Sequence, residues 1–192
     1  MEPAKTARER VLDVATDLFY REGVRAVGID TIIARSGVAK MSLYRNFASK
    51  DELVVAYLEE RNRRFFAWWD RATGADDDDP RERLWNLIAA TIEKVRHPEH
   101  RGCPFLNTST EFPDAGHPAH AVIAAHKREV RARLLDLCRR VGASRPEVLT
   151  EQLIVLMDGV YAFPQSFSDP NAASAVREAA ATLIKAQTAK AR

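Results

Sequence analysis

The clearest evidence for the fold of this chain is the stretch GIDTIIARSGVAKMSLYRNFASKDEL, from Gly28 to Leu53. Its apolar residues recur at helical spacing, which predicts one short helix over about 29–36 and another over about 39–44. Gly37 separates the two helices, because a glycine commonly ends a helix. Two short helices joined at a glycine predict a helix-turn-helix, in which the second helix lies in the major groove of DNA.

Helical periodicity continues on both sides of this stretch. A capping box, which is a Ser or Thr followed by Glu three residues later, predicts helix starts at Thr6, Ser49 and Ser144. Asp79 followed by Pro80 predicts a further helix start after an acidic linker. No segment alternates polar and apolar residues as strands do. We therefore predict an all-α chain of about nine helices.

Composition excludes several classes of protein. The 192 residues are 46% hydrophobic and 29% charged, which predicts a folded chain rather than a disordered one. The aliphatic run 153–157 is far shorter than the ~18 residues of a membrane span. The N-terminus has no apolar stretch of the kind found in a secretory signal, and two cysteines cannot form a disulfide framework. These features predict a soluble, cytoplasmic protein.

The excess of positive charge lies in the first quarter of the chain. Residues 1–50 carry nine Lys and Arg against six Asp and Glu, whereas residues 51–192 carry 20 against 21. A basic first quarter is compatible with a segment that binds nucleic acid. Ordinary scatter in charge explains the same difference equally well.

The stretch quoted above resembles the DNA-binding domain of the TetR family of transcriptional regulators. The resemblance covers about Thr6 to Leu58. It implies an all-α homodimer with a three-helix helix-turn-helix head over residues 1–50 and a bundle over 51–192 that binds an effector and dimerises. It also implies a regulator, usually a repressor, that binds near-palindromic operator DNA and is released by a partly apolar small molecule. It rests on Gly37, Val38, Leu43, Tyr44, Phe47, Ser49, Lys50 and Leu53.

The second short helix carries most of the residues predicted to contact DNA. Leu43 and Phe47 are expected to pack inward and to leave the other side chains outside. Lys40 and Arg45 supply charge for phosphate or guanine, and the resemblance implies that Tyr44 and Lys50 contact the DNA backbone. Ordinary polar surface residues are the alternative interpretation. The predicted DNA contacts are Lys40, Met41, Ser42, Tyr44, Arg45, Asn46 and Lys50.

Beyond residue 60, Gly102-Cys103, Glu111 and Asp158-Gly159 resemble the LmrA/YxaF-like branch of the family. Apolar and aromatic side chains of the bundle are candidates for effector binding, because ligand pockets are mostly apolar; plain core packing is the alternative. The candidates are Phe65, Trp68, Trp69, Trp85, Phe105, Phe112, Met157, Tyr161 and Phe163. The last two helices resemble the four-helix dimer interface of the family, and a face of mostly small residues on the last helix permits close approach. The residues predicted to form the dimer interface are Ala172, Val176, Ala179, Ala180 and Leu183.

No cofactor, metal site, membrane partner or enzymatic activity is predicted. The sequence contains no G-x-G pair, no H-E-x-x-H and no G-x-S-x-G. The spacing of His97, His100 and Cys103 leaves a metal site open as an alternative. A redox role for Cys103 is a second alternative. Exposed loop histidines and a buried thiol are the simpler interpretations.

Overall fold

The computed structural model describes residues 4–76, 78–162 and 170–188. These residues form nine helices and no strand, which confirms the all-α prediction for the described chain. None of the described helices is both long enough and apolar enough to cross a membrane. The helices are α1 (Ala7–Glu22), α2 (Ile29–Ser36), α3 (Lys40–Asn46), α4 (Lys50–Thr73), α5 (Pro80–Arg96), α6 (Pro104–Glu111), α7 (Ala119–Arg140), α8 (Pro146–Ala162) and α9 (Pro170–Thr188).

Several helix ends follow from local chemistry. The Thr6 hydroxyl accepts a hydrogen bond from the Glu9 N–H at 3.2 Å, and the Glu9 carboxylate accepts from the Thr6 N–H at 2.7 Å, so this capping box is confirmed. Asp79 caps α5 by accepting from the Arg81 N–H at 2.9 Å. Gly37 ends α2 in the left-handed region, at φ 63°, where other residues are strained.

The capping box predicted at Ser144 is wrong. The Ser144 hydroxyl donates to Gln187 Oε1 at 2.9 Å, and the Ser144 N–H donates to the Gln187 carbonyl at 2.8 Å. Glu147 accepts instead from Arg139 at 2.8 Å. The last turn of α9 has carbonyls that need donors, and Ser144 supplies one of them. A partner 43 residues away has therefore replaced the local one.

The chain divides into two compact units. Unit 1 consists of residues 1–64 and 104–125, and unit 2 consists of residues 65–103 and 126–192. Each unit is discontinuous in sequence, because the chain leaves unit 1 within α4 and returns to it at α6. This division differs from the boundary predicted at residue 50. The functional boundary stays a prediction.

Unit 1 contains the helix-turn-helix. In it α1 packs against both α2 and α3, and α2 contacts α3. Leu43 and Phe47 are almost completely buried in this core, as the sequence predicts, and Ile32 is buried with them. The first half of α4 joins the same core, because Tyr57 packs edge-on against Phe19 with ring centroids 5.6 Å apart. The first structural unit is therefore larger than three helices.

Unit 2 has a core in which α8 packs against α5 and α9, and α5 also packs against α9. Leu87 of α5 and Leu149 and Leu153 of α8 are almost completely buried in this core. Ala180 of α9 is completely buried, and its small side chain allows its helix to approach closely.

The α9 face predicted for the dimer interface is divided by this packing. Val176 and Ala180 are buried within the chain itself, so they face its own core rather than a second copy. Ala179 is exposed, whereas Ala172 and Leu183 are half-buried. Helical spacing identified an apolar face, but part of that face is already covered inside unit 2. The interface itself stays a prediction.

Candidate functional site

The outer side of α3 presents two large hydrophobic side chains to solvent. Met41 is 71% exposed and Tyr44 is 41% exposed. Among the described residues, the other exposed large hydrophobic side chains both belong to α8. Lys40 and Arg45 are exposed beside them. We call these four residues the α3 face, and they are four of the seven residues predicted to contact DNA.

Three polar side chains of α3 have partners within the protein. Asn46 Nδ2 donates to the Ser42 carbonyl at 2.8 Å, and both residues are half-buried. Arg45 Nε donates at 3.4 Å to a carbonyl one turn earlier in the helix. Lys40 Nζ lies 3.5 Å from the Asp30 carboxylate of α2, and both side chains are well exposed. The contacts of Lys40 and Arg45 are exposed, so they are weak and can be exchanged for contacts to another charged molecule.

Lys50, the seventh predicted DNA contact, lies in the first turn of α4. Its side chain is half-buried, with Nζ 6.0 Å from the centroid of the Phe19 ring. Burial lowers the pKa of Lys50, and the carboxylates of Glu111 and Asp51 act in the opposite direction. The cation therefore lies against unit 1 with part of its surface still open to solvent.

The capping box predicted at Ser49 is confirmed in one of its two bonds. The Glu52 N–H donates to the Ser49 hydroxyl at 3.1 Å, as expected. The Glu52 carboxylate, however, accepts from the N–H of Ala48 at 2.6 Å, one residue earlier than the pattern predicts. These two bonds hold the short connection between α3 and α4.

A carboxylate from α6 holds the turn between α1 and α2. Glu111 accepts from the Val24 N–H at 3.1 Å and from the Arg25 N–H at 2.7 Å. The turn passes through Gly23 at φ 90°, where an added Cβ would lie 3.4 Å from both Glu111 carboxylate oxygens. Glu111 entered the sequence prediction only through the resemblance to the LmrA/YxaF-like branch, because nothing in its local pattern points to partners more than 80 residues away.

The segment after α6 contacts the same part of unit 1. The Phe112 ring stacks on His117 with centroids 4.0 Å apart, and the Arg25 guanidinium lies 5.7 Å from the Phe112 centroid. His117 Nε2 lies 3.4 Å from the Asp51 carboxylate in the first turn of α4. Phe112, a predicted effector contact, thus lies beside the turn that connects α1 and α2.

Three predicted effector contacts come together in unit 2. The Phe65 ring lies 5.4 Å from Trp68 and 6.1 Å from Trp69. Lys94 of α5 places Nζ 3.9 Å from the Trp68 centroid and 5.2 Å from the Phe65 centroid. His126 of α7 lies edge-on to Phe65 at 4.8 Å. We call these five residues the aromatic cluster; its Phe65 and Trp68 side chains are only half-buried.

The other predicted effector contacts have different surroundings. Met157 and Tyr161 are buried on α8, and Trp85 is half-buried on α5. Phe105 is almost completely buried in unit 1. Phe163 lies outside the described residues.

His126 is expected to make the protein less stable in acid. Burial, reinforced by the charges of Lys127 and Lys94, lowers the pKa of His126 from 6.5 to about 3. The unfolded chain binds this proton below pH 6.5 and the folded chain does not, so the free energy of unfolding falls by about 1.4 kcal/mol per pH unit between those two pKa values. Urea unfolding from pH 7 to pH 4 measures this loss. A His126→Gln variant should show a shallower fall, and an unchanged slope would contradict the assignment.

The two alternatives involving His97, His100 and Cys103 gain no support from the described residues. In that part of the chain, no group of three or more His, Cys, Asp or Glu side chains is placed to hold a metal ion. His97 Nδ1 accepts from the Glu99 N–H at 3.3 Å. Cys103 is buried and is not in a disulfide.

Comparison with known proteins decides the family. The model for bacterial regulatory proteins of the tetR family matches residues 11–57, and the model for the tetracyclin repressor-like C-terminal domain matches residues 80–180. The chain belongs to the TetR family. Members of this family are transcriptional regulators that bind DNA through a helix-turn-helix, and they are not enzymes.

Individual relatives agree with this assignment. A TetR-family transcriptional regulator from Streptomyces coelicolor is 31% identical and superposes with a TM-score of 0.88, over 95% of this chain and 96% of that chain. The transcriptional repressor KstR2 of Mycobacterium tuberculosis is 34% identical over 147 residues, which cover 73% of this chain and 70% of the relative. The transcriptional activator FasR of Mycolicibacterium smegmatis is 32% identical over 95 residues, covering 50% of this chain and 43% of the relative.

Proposed function

We propose that this TetR regulator is a repressor that binds a near-palindromic operator as a homodimer, through its α3 face and Lys50. The observation that carries the proposal is the α3 face itself, where Met41 and Tyr44 are exposed beside Lys40 and Arg45. Positive side chains bind phosphates, and exposed side chains of a recognition helix contact base edges in the major groove. Backbone N–H groups at the start of α4 favour a phosphate near Lys50.

The dimer part of the proposal is supported by apolar side chains exposed on α8. Val148 is 39% exposed and Val155 is 72% exposed, and their spacing of seven residues places them on one side of the helix. Exposed apolar side chains are candidates for an association site, and Ala179 and Leu183 of α9 are also accessible to solvent. A two-fold dimer binds two half-sites in opposite orientation, which explains why a near-palindrome is expected.

We propose the aromatic cluster as part of the effector site. Half-buried rings suit a partly apolar ligand, and Lys94 beside Trp68 adds one polar group that can orient it. An effector changes DNA binding only if it binds one arrangement of the dimer more tightly than the other. KstR2 is a repressor and FasR is an activator, so transcription from a promoter that carries the operator, measured with and without the protein, tests the repressor role. We expect the protein to act in the cytoplasm, where a bacterial operator lies.

The experiment that tests this proposal selects binding sites from randomised duplex DNA and then measures affinity at several salt concentrations. We expect a near-palindromic sequence to be enriched. The logarithm of its affinity should fall linearly with the logarithm of the salt concentration, because phosphate contacts release counterions. Equal affinity for all sequences would contradict an operator-binding function and favour a nonspecific DNA-binding protein.

Replacing Tyr44 by alanine should weaken operator binding about tenfold. Loss of one hydrogen bond to each half-site is worth roughly two- to tenfold per site. The side chain is 41% exposed, so the variant should remain folded and should keep its oligomeric state. Tyr44→Phe keeps the ring and separates its contribution from that of the hydroxyl. Unchanged affinity of Tyr44→Ala would show that α3 does not contact DNA as proposed.

A further inference from the structure

We propose that Met41 makes this regulator selective for a base pair whose pyrimidine carries a methyl group at C5, which is thymine in ordinary DNA. The inference rests on the proposed function, because it names what the α3 face recognises. It adds a specificity-determining residue and the chemical group that this residue contacts.

The first observation is how far Met41 and its neighbour Tyr44 are exposed to solvent. Met41 is 71% exposed, and Tyr44, one turn later on the same helix, is 41% exposed. A single exposed hydrophobic side chain is common, but two of the four in the described chain share one seven-residue helix. Hydrophobic groups gathered in this way indicate a surface that is covered when the protein functions. The second residue of a recognition helix is among those that meet base edges.

The second observation concerns the contacts made by the polar side chains next to Met41. The Arg45 Nε–H donates back to the Met41 carbonyl at 3.4 Å, and the Asn46 amide donates to a carbonyl of the same helix. Lys40 reaches across to Asp30 of α2. Met41 is therefore an apolar and flexible side chain that lies among polar ones, whose own contacts within the protein are exposed and exchangeable.

The chemistry of the major groove then selects the partner. Its floor presents hydrogen-bond donors and acceptors at every base pair, and the one apolar group is the C5-methyl of thymine. A thioether placed on a donor or acceptor would remove water from it without replacing the hydrogen bond. The same side chain placed on a methyl group buries apolar surface on both sides and leaves no polar group unpaired. Met41 therefore favours thymine at the position that it covers.

Deoxyuridine tests this contact, because it differs from thymidine only in lacking the methyl group. In the selected operator, each thymine and its symmetry mate are replaced by deoxyuridine in turn. We expect one position at which the wild-type protein loses about fourfold in affinity per half-site, the effect of one buried methyl group, and about fifteenfold when both half-sites are changed. Replacing the same thymine by cytosine should weaken binding, and 5-methylcytosine, which restores the methyl group, should recover part of the loss.

Variants at position 41 assign the effect to this side chain. Met41→Ala should bind the thymine and deoxyuridine operators equally well, whereas Met41→Leu, which keeps an apolar side chain of similar size, should retain the preference. Wild-type binding that is insensitive to deoxyuridine at every position would overturn the proposal. The proposal would also be overturned by an operator without thymine in its half-sites, or by a Met41→Ala variant that keeps the full deoxyuridine effect. Failure of the wild-type protein to select any operator would overturn the proposed function instead.

Discussion

Replacing Val155 by glutamate is expected to separate the proposed dimer of this TetR regulator into monomers and to lower its operator affinity by about 10²- to 10⁴-fold. Val155 is 72% exposed on α8, so the change leaves the core of the single chain intact and should alter its stability by no more than about 0.5 kcal/mol. In a dimer interface the same carboxylate would be buried without a partner, which is strongly unfavourable. Two linked heads bind a double site far more tightly than one. Sedimentation and fluorescence anisotropy measure the two effects.

Two further variants make this result interpretable. Val155→Leu keeps an apolar side chain at the same place and should remain dimeric with nearly unchanged affinity for DNA. Leu183→Glu tests the contribution of α9, where Leu183 is half-buried, and should also split the dimer. If Val155→Glu stays dimeric at the concentrations used for the wild type, the interface lies elsewhere on the molecule.

Replacing Glu111 by alanine is expected to loosen the turn between α1 and α2 and to weaken operator binding. The change removes the acceptor of the Val24 and Arg25 amides. Loss of a charged acceptor costs on the order of 1–3 kcal/mol at the part-buried Val24 amide and less at the exposed Arg25 amide, which water can reach. For a chain of this size the melting temperature should fall by about 2–4 °C for each kcal/mol. Operator binding should suffer because α1 and α2 both pack against α3, which carries the proposed DNA contacts.

Hydrogen exchange at the two turn amides gives the most direct measurement. In the Glu111→Ala variant, the Val24 and Arg25 amides should exchange faster than in the wild type, while amides in the core of unit 2 keep their protection. Glu111→Gln retains one acceptor oxygen and should show an intermediate effect. Unchanged exchange at both amides would mean that Glu111 does not hold this turn in solution.

The sequence predicted most helix ends because their causes are local. At Thr6 both hydrogen bonds of the capping box join residues three positions apart. Gly37 ends α2 because its own backbone adopts a conformation that other residues avoid. The prediction failed at Ser144, where Gln187 of a distant helix takes the hydroxyl and N–H that the local pattern assigned elsewhere.

The candidate sites show the same distinction. Helical spacing was enough to place Leu43 inside and Met41 outside, because residues two positions apart in a helix lie on nearly opposite sides. The aromatic cluster could be predicted only in part. Phe65 and Trp68 are neighbours on α4, but Lys94 comes from α5 and meets them through packing alone.

Apolar spacing on α9 marks Val176 and Ala180 as one face of a helix, but spacing does not say which surface covers that face. In the folded chain the core of unit 2 covers it, and Val155 of α8 is left exposed instead. By itself, the sequence determined the helices, most of their caps and the outer side of α3, since these depend on residues within a few positions of each other. Only the tertiary structure decided the partners of Glu111, Ser144 and Lys94, because a hydrogen bond or a ring contact between distant segments exists only once packing has brought them together.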